Sequence, residues 1–184
     1  MSRDVTALWM DLAMAAMSLP PGVILDGEAV VYVADDEGTA RISFEAAQSR
    51  ALSSPHRARE LTDRHPATYV AFDVLAHPAA GFPDLRPRPY VERRQVLLDV
   101  LANTGPPIEP VWSTTDLDKA LLWYEALEGT GVEGIVAKPL RGAYTKWPPD
   151  LESLMLARSL RVSDGVWVVA RTTLHRLAVE PLSR

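Results

Sequence analysis

The sequence predicts a single domain of the α+β class, and three observations support this. A chain of 184 residues suits one domain, and 47% hydrophobic with 23% charged residues is typical of a globular protein. Helix-like and strand-like segments are interleaved along the chain. The turn at Asp35–Gly38 is too short for a crossover connection, so the strands on either side of it are expected to pair antiparallel.

In the first half, the predicted elements follow from spacing and from turn residues. Apolar residues recur at helical spacing up to the break at Pro20-Pro21-Gly22. In the first strand, apolar residues alternate with Asp26 and Glu28, which places the two acids on one face. The elements in order are a helix from about Thr6 to Ser18, a strand Val23–Val33, a hairpin strand Thr39–Ile42, a helix capped by Ser43 that runs to Ala51, helix and loop over Pro55–Pro66, and a strand Thr68–Leu75.

The second half begins with a proline-rich loop that ends at Pro89, a residue suited to the first turn of a helix. The elements that follow are a helix to Leu101 with Val91, Leu97 and Leu98 on its apolar side, an extended Ile108–Val111, a helix opened by a Thr115-x-x-Asp118 capping box, strands Gly134–Lys138 and Val166–Ala170, and a helix over Asp150–Leu160. We expect the pair Arg93-Arg94 on the exposed side of its helix. Trp112 is expected in the core or half-buried.

Composition excludes several classes of protein. Lys and Arg total 19 against 24 acidic residues, so a net charge of −5 excludes a domain that binds nucleic acid by bulk positive charge. The absence of cysteine excludes disulfides and thiolate metal sites. No apolar stretch is long enough to cross a membrane, and no signal peptide is evident. These features predict a soluble, cytoplasmic protein.

Three clusters on predicted strands could carry chemistry. They are Leu25-Asp26-Gly27-Glu28, Tyr69-Val70-Ala71-Phe72-Asp73 and Glu133-Gly134-Ile135-Val136-Ala137-Lys138. The paired acids could hold a hydroxyl or a hydrated Mg²⁺, and Phe72 could stack on a base. Each cluster alone is also typical of ordinary structure, a solvated strand face in the first case and a core phenylalanine in the second.

Together and in this order, the clusters resemble the adenylation (nucleotidyltransferase) domain of bacterial ATP-dependent DNA ligases, in particular the short ligases and the ligase domain of ligase D. The three clusters match motifs III, IIIa and IV of that family. Phe44 through Arg50 resembles the stretch after motif III, and Arg141-Gly142-Ala143-Tyr144 resembles the stretch after motif IV. The resemblance implies the nucleotidyltransferase (ATP-grasp-like) fold, with antiparallel sheets flanked by helices.

The resemblance also implies a function. A lysine attacks the α-phosphate of ATP, AMP passes to the 5′-phosphate of nicked double-stranded DNA, and the 3′-hydroxyl then displaces AMP to seal the strand. By the same resemblance Glu28 contacts the ribose or the metal region, Phe72 stacks on adenine, Lys138 lies near the α-phosphate, and Glu28 and Glu133 hold Mg²⁺. ATP and Mg²⁺ are thus the implied cofactors, and DNA repair and recombination the implied setting.

The sequence departs from the family at two motifs. The family's nucleophile belongs to a lysine-x-aspartate-glycine string, and none of Lys119, Lys138 and Lys146 begins one. Motif V, a tryptophan followed by alternating lysines, is not intact, and the resemblance offers two candidates for its remnant: Trp167–Arg171, with Arg171 at the second lysine position, or Lys146-Trp147. We therefore expect residues 1–147 to be a partial adenylation domain that is inactive alone, and residues 148–184 to hold the degenerate motif V and a tail. The alternatives are a non-catalytic nucleotide- or partner-binding protein and half of a split ligase, with motif I on a partner chain.

Overall fold

The computed structural model of the protein describes residues 4–126, 132, 134–144, 165–169 and 177–179. Short 3₁₀ helices lie at Thr6–Leu8 and Pro78–Ala80. Within the described residues the other elements are, in order, α1 (Met10–Ala16), β1 (Ile24–Ala34), β2 (Ala40–Ile42), α2 (Phe44–Ala51), α3 (Pro55–Thr62), β3 (Ala67–Ala76), α4 (Tyr90–Leu101), β4 (Ile108–Pro110), β5 (Ser113–Thr114), α5 (Leu117–Ala126), β6 (Ile135–Pro139), β7 (Gly165–Val169) and β8 (Leu177–Val179). The predicted mixed α+β class is confirmed.

Within the part of the chain that the structure describes, the larger sheet has five strands. Four follow the order β2-β1-β3-β4, and β8 pairs with β1 beside the β2 hairpin. The hairpin turn is closed by Asp35, whose Oδ1 accepts from the backbone amides of Glu37 and Thr39 at 3.0 and 2.8 Å. The pairs formed by β1 are antiparallel, but β3 and β4 run parallel. The prediction of antiparallel sheets is therefore wrong at this pair, because α4 forms a crossover that returns the chain in the same direction.

One face of the larger sheet forms the core, and α1, α2 and α4 pack near it. Its buried residues are Leu25, Ala29 and Val31 of β1, which alternate as predicted, and Tyr69, Ala71 and Val74 of β3. Burial of such apolar side chains is the main favourable term in folding, at roughly 25 cal/mol per Å². The core therefore determines which face of β1 is left for polar residues.

A buried arginine attaches the N-terminal helix to this core. Arg50 of α2 is fully buried and donates to both carboxylate oxygens of Asp11 at 2.7 and 2.9 Å. It also donates to the carbonyl oxygens of Leu8 and His65 at 3.1 and 2.8 Å, and its guanidinium lies 4.5 Å from the centre of the Trp9 ring. The network joins α1, α2 and the segment before β3.

The smaller sheet has the order β5-β7-β6, with antiparallel pairs. It contains the predicted strands around Ile135 and Val168. The helix predicted over Asp150–Leu160 lies outside the described residues. Among the described helices, none combines the length and the apolar character needed to cross a membrane.

Three local predictions differ from the structure. The first predicted helix is interrupted at Trp9, where a 3₁₀ turn gives way to α1. The cap of α5 is Asp116, not Thr115, because its Oδ1 accepts from the amides of Asp118 and Lys119 at 2.9 and 3.2 Å. Trp112 is exposed and contacts Trp123 of α5 at the surface, with 6.2 Å between ring centres.

Candidate functional site

The second face of the larger sheet carries the acidic residues of β1. Asp26 and Glu28 alternate with core residues, as predicted, and both are buried, at 7% and 4% exposed. In the pairing with β3, Glu28 lies opposite Val70 and Asp26 lies opposite Asp73. A solvated strand face, one interpretation that the sequence left open, is therefore wrong. Carboxylates buried to this degree require charged or hydrogen-bonding partners.

Gly27, between the two acids, allows β1 and β3 to approach closely. A Cβ atom at this position would collide with the carbonyl oxygen of Val70 and would lie 2.8 Å from the ring of Tyr69. The hydroxyl of that tyrosine donates to the carbonyl oxygen of Leu25 at 3.3 Å, which fixes the ring against β1. The glycine in the Leu25–Glu28 cluster therefore has a packing reason.

A β-bulge in β3 turns Asp73 toward the acids. Gly27 pairs with Ala71 and Asp26 pairs with Asp73, so the register skips Phe72. The extra residue reverses the alternation beyond it, and Asp73 leaves the core face and joins Asp26 on the second face. Three carboxylates, two from β1 and one from β3, thus share one side of the sheet.

Asp73 forms a bidentate ion pair with Arg93 of α4. Arg93 Nε donates to Asp73 Oδ1 at 2.9 Å and Nη2 donates to Oδ2 at 3.0 Å. The two residues are 1% and 2% exposed. The remaining nitrogen, Nη1, donates to the carbonyl oxygens of Arg88 and Gly142, the latter at 3.1 Å. The guanidinium is therefore fixed by a carboxylate and by two segments of backbone.

The prediction that Arg93 lies on the exposed side of its helix is wrong. The buried stripe of α4 consists of Tyr90, Arg93, Leu97 and Leu101, whereas Val91 and Leu98 are exposed. The spacing of three, four and four residues is that of one helix face. A search for helical periodicity that allowed arginine on the buried face, together with a carboxylate to pair with it, would have identified this residue.

Lys138 of β6 reaches the same carboxylate from the smaller sheet. Its Nζ lies 3.4 Å from Asp73 Oδ2 and 4.8 Å from the centre of the Tyr90 ring. Burial lowers the pKa of the Lys138 ammonium, and the carboxylates of Asp73 and Asp26 oppose that shift. Burial also raises the pKa of Tyr90 to about 12, so its phenol is protonated at neutral pH. The Lys138 side chain is 23% exposed, whereas that of Asp73 is fully buried.

Phe72, at the bulge, is half-buried beside this group. With Val70 and Leu140 it packs against a small cluster formed by Tyr90 and Val111. The ring that Lys138 covers is therefore part of the cluster that Phe72 contacts. Phe72 belongs to a separate apolar cluster rather than to the main core.

The segment that follows β6 crosses this face and is held at both ends. The amide of Val91 donates to the carbonyl oxygen of Leu140 at 3.0 Å, and the amide of Tyr144 donates to that of Arg86 at 2.8 Å. The hydroxyl of Tyr144 also donates to Asp26 Oδ2 at 3.2 Å. The segment 140–144 thus connects the smaller sheet to α4 and to the acids of β1.

The described residues contain no group of three or more acidic or histidine side chains arranged to hold a metal ion. Asp73 forms its bidentate ion pair with Arg93, and Asp26 and Glu28 are the other carboxylates described on this face. Mg²⁺ in phosphate-processing sites commonly takes one or two protein carboxylates and completes its shell with phosphate oxygens and water. The donor set fits such a shared site and not a site built from protein ligands alone.

Comparison with known proteins assigns the family. The sequence profile of the ATP dependent DNA ligase domain matches residues 2–147. The chain belongs to the ATP-dependent DNA ligase family. The resemblance found in the order of the three strand clusters is therefore confirmed.

Three mycobacterial DNA ligases are similar to this ligase-family chain. It is 36% identical over 175 residues to DNA ligase C2 of Mycolicibacterium smegmatis, and the match covers 95% of this chain and 46% of that protein. It is 34% identical over 179 residues to DNA ligase C of Mycobacterium tuberculosis, again covering 95% and 46%. DNA ligase C1 of Mycolicibacterium smegmatis is 32% identical over 126 residues. The chain spans about half the length of the first two relatives.

Three of the residues that the sequence assigned to a site in this ligase-family chain border the second face, namely Glu28, Phe72 and Lys138. The other two, Glu133 and Arg171, lie outside the described residues, and their roles stay predictions. The structure adds Arg93, Tyr90 and Tyr144, which the sequence did not single out as site residues.

Proposed function

We propose that this chain supplies the nucleotide-binding face of an ATP-dependent DNA ligase adenylation domain. One observation carries the proposal: an aromatic ring, a partly exposed lysine side chain and two buried carboxylates border the same face of the sheet. These are Phe72, Lys138, Asp26 and Glu28. A nucleoside triphosphate offers matching chemistry, because it has an aromatic base, a ribose and negatively charged phosphates that bind Mg²⁺.

Each residue has a role that its environment supports. Phe72 would stack on the adenine, since its ring is half-buried and lies outside the main core. Lys138 would contact the α-phosphate, because its side chain is partly exposed and its contact with Asp73, at 3.4 Å, is long. Glu28 would contact the ribose or the metal.

Mg²⁺ would be held by Glu28 together with phosphate oxygens, and by Glu133 as the family motif implies. Bound there, it neutralises charge on the phosphates during phosphoryl transfer. The residues of the chain bind and orient the nucleotide around it. Asp26, which accepts from Tyr144, would hold the segment 140–144 against the site.

Covalent adenylylation needs a lysine nucleophile, which we propose this chain does not supply. No lysine in the sequence begins a lysine-x-aspartate-glycine string. Lys138, which contacts Asp73 and the Tyr90 ring, is assigned to the phosphate contact and not to the nucleophile. A segment bearing motif I, on a partner chain in a split enzyme, would supply the nucleophile, and nicked double-stranded DNA would be the final substrate. Residues 1–147 would form the adenylation domain and residues 148–184 its degenerate motif V region.

Equilibrium binding of ATP in the presence of Mg²⁺ tests this proposal. Stacking on an aromatic ring contributes about 1–3 kcal/mol, so Phe72→Ala should weaken ATP binding roughly tenfold. The matched control is Phe44→Ala, because Phe44 is an exposed aromatic on α2. Lys138→Met should also weaken binding, whereas Lys119→Met, at an exposed lysine of α5, should not. Equal affinity of wild type, Phe72→Ala and Lys138→Met would contradict the proposed site.

A further inference from the structure

The contacts of Asp73 are unequal. Arg93 takes both carboxylate oxygens at 2.9 and 3.0 Å, while Lys138 makes one contact at 3.4 Å. Charge-assisted bonds between nitrogen and a carboxylate commonly measure about 2.7–2.9 Å, so the lysine contact is longer than a normal bond of this kind. Arg93 is fixed as well by the carbonyl oxygens of Arg88 and Gly142 and cannot easily leave.

Because Arg93 binds Asp73 more tightly than Lys138 does, the positive charge of Lys138 is left unbalanced by Asp73. The guanidinium of Arg93 cancels the charge of Asp73, so the ammonium of Lys138 is the surplus charge among the three. Among the described residues, the carboxylate of Asp26 also acts on the Lys138 ammonium, and it accepts a hydrogen bond from the hydroxyl of Tyr144. A cation supported by a neutralised carboxylate and by the face of a tyrosine ring is weakly held and therefore available to an anion.

We propose that Arg93 is a positioning residue for Lys138: by neutralising Asp73 it keeps the lysine ammonium free to bind a phosphate group. This inference rests on the proposed nucleotide-binding function. Without Arg93, Asp73 would be a buried carboxylate whose nearest cation is Lys138. The lysine would then move closer to Asp73 and form a shorter ion pair with it, since an uncompensated buried charge is costly. The phosphate contact would be lost although Lys138 itself is unchanged.

The variant Arg93→Gln tests the inference, because glutamine keeps a hydrogen-bond donor and removes the charge. The first readout needs no nucleotide. The protein is acetylated with a limiting amount of an amine-reactive acetylating reagent, and the labelled peptides are quantified by mass spectrometry. This gives the reactivity of Lys138 relative to that of the exposed Lys119 in the same molecule. We expect this ratio to fall about tenfold, the effect of one pKa unit of extra stabilisation of the ammonium. ATP affinity should fall as far as in Lys138→Met, and Arg93→Gln should cause no further loss in a Lys138→Met background.

The sign of the labelling result separates positioning from simple structural support. A structural role alone would loosen the site and make Lys138 react faster or at an unchanged rate, and either result in a folded Arg93→Gln protein would overturn the inference. If that variant does not fold, the charge-balanced Asp73→Asn/Arg93→Gln variant replaces it. There Lys138 loses its carboxylate and should react faster than in wild type, and an unchanged rate would show that the cluster does not hold it. If the labelling results hold but wild type binds no ATP, the proposed function fails and the positioning pair stands.

Discussion

The buried network around Arg50 allows the sharpest test of how this fold is held together. We expect Arg50→Met to lower the free energy of unfolding by about 3 kcal/mol. Breaking a buried ion pair by removing one partner typically costs about 3–5 kcal/mol. The lower end applies because the side chain of Asp11 is 17% exposed and still accepts from the Ala67 amide at 3.0 Å.

Urea unfolding followed by circular dichroism measures this effect. With a slope of about 1–3 kcal/mol per M, a loss of about 3 kcal/mol should move the midpoint down by roughly 1–3 M. The matched control is Arg57→Met, which removes an arginine from an exposed ion pair with Glu60 at 2.6 Å and should leave the midpoint unchanged. The double variant Asp11→Asn/Arg50→Met removes the stranded charge and should recover part of the loss.

Two results would refute this reasoning. If Arg50→Met behaves like the exposed control, the hydrogen bonds of Arg50 do not stabilise the fold beyond the packing of its side chain. If the double variant is less stable than Arg50→Met, the cost is a lost contact rather than an uncompensated carboxylate.

Three further outcomes follow from the structure. Incubation with α-labelled ATP and Mg²⁺ should give no labelled band on denaturing electrophoresis, since the sequence contains no nucleophile string; a band that disappears in Lys138→Ala would instead identify Lys138 as the nucleophile. Gly27→Ala should lower the free energy of unfolding by roughly 1–3 kcal/mol in the same urea assay, because the added Cβ would push β1 away from β3. An unchanged midpoint would show that the two strands can move apart at no cost in stability. Burial raises the pKa of Asp11, but hydrogen bonds from Arg50 and the Ala67 amide outweigh it and lower the native value. The stability contributed by Asp11 is therefore fully present above its unfolded pKa of about 3.9 and is lost as pH falls through the native pKa. Asp11→Asn should thus lose less stability in acid than wild type. Equal losses would contradict the lowered pKa of Asp11.

The sequence by itself determined the strands and the family. Alternation along Val23–Val33 predicted both the core face of β1 and the acids opposite it, because the side-chain period of a strand is two residues and the turn at Asp35–Gly38 fixed the antiparallel partner. The order of the clusters around Glu28, Phe72 and Lys138 predicted the family that the profile confirms. These signals are local, so a linear sequence contains them.

Only the tertiary structure decided how the candidate site is assembled. The bulge at Phe72 turns Asp73 away from the core, and no local pattern records one extra residue in a ladder that involves a distant strand. Arg93 was assigned to the surface because arginine is seldom buried without a partner, and its partner is 20 positions away in the sequence. Lys138 comes from a different sheet. The charge balance of this face arises from residues that are close only in the folded chain, since the energy of an ion pair depends on distance and burial and not on sequence separation.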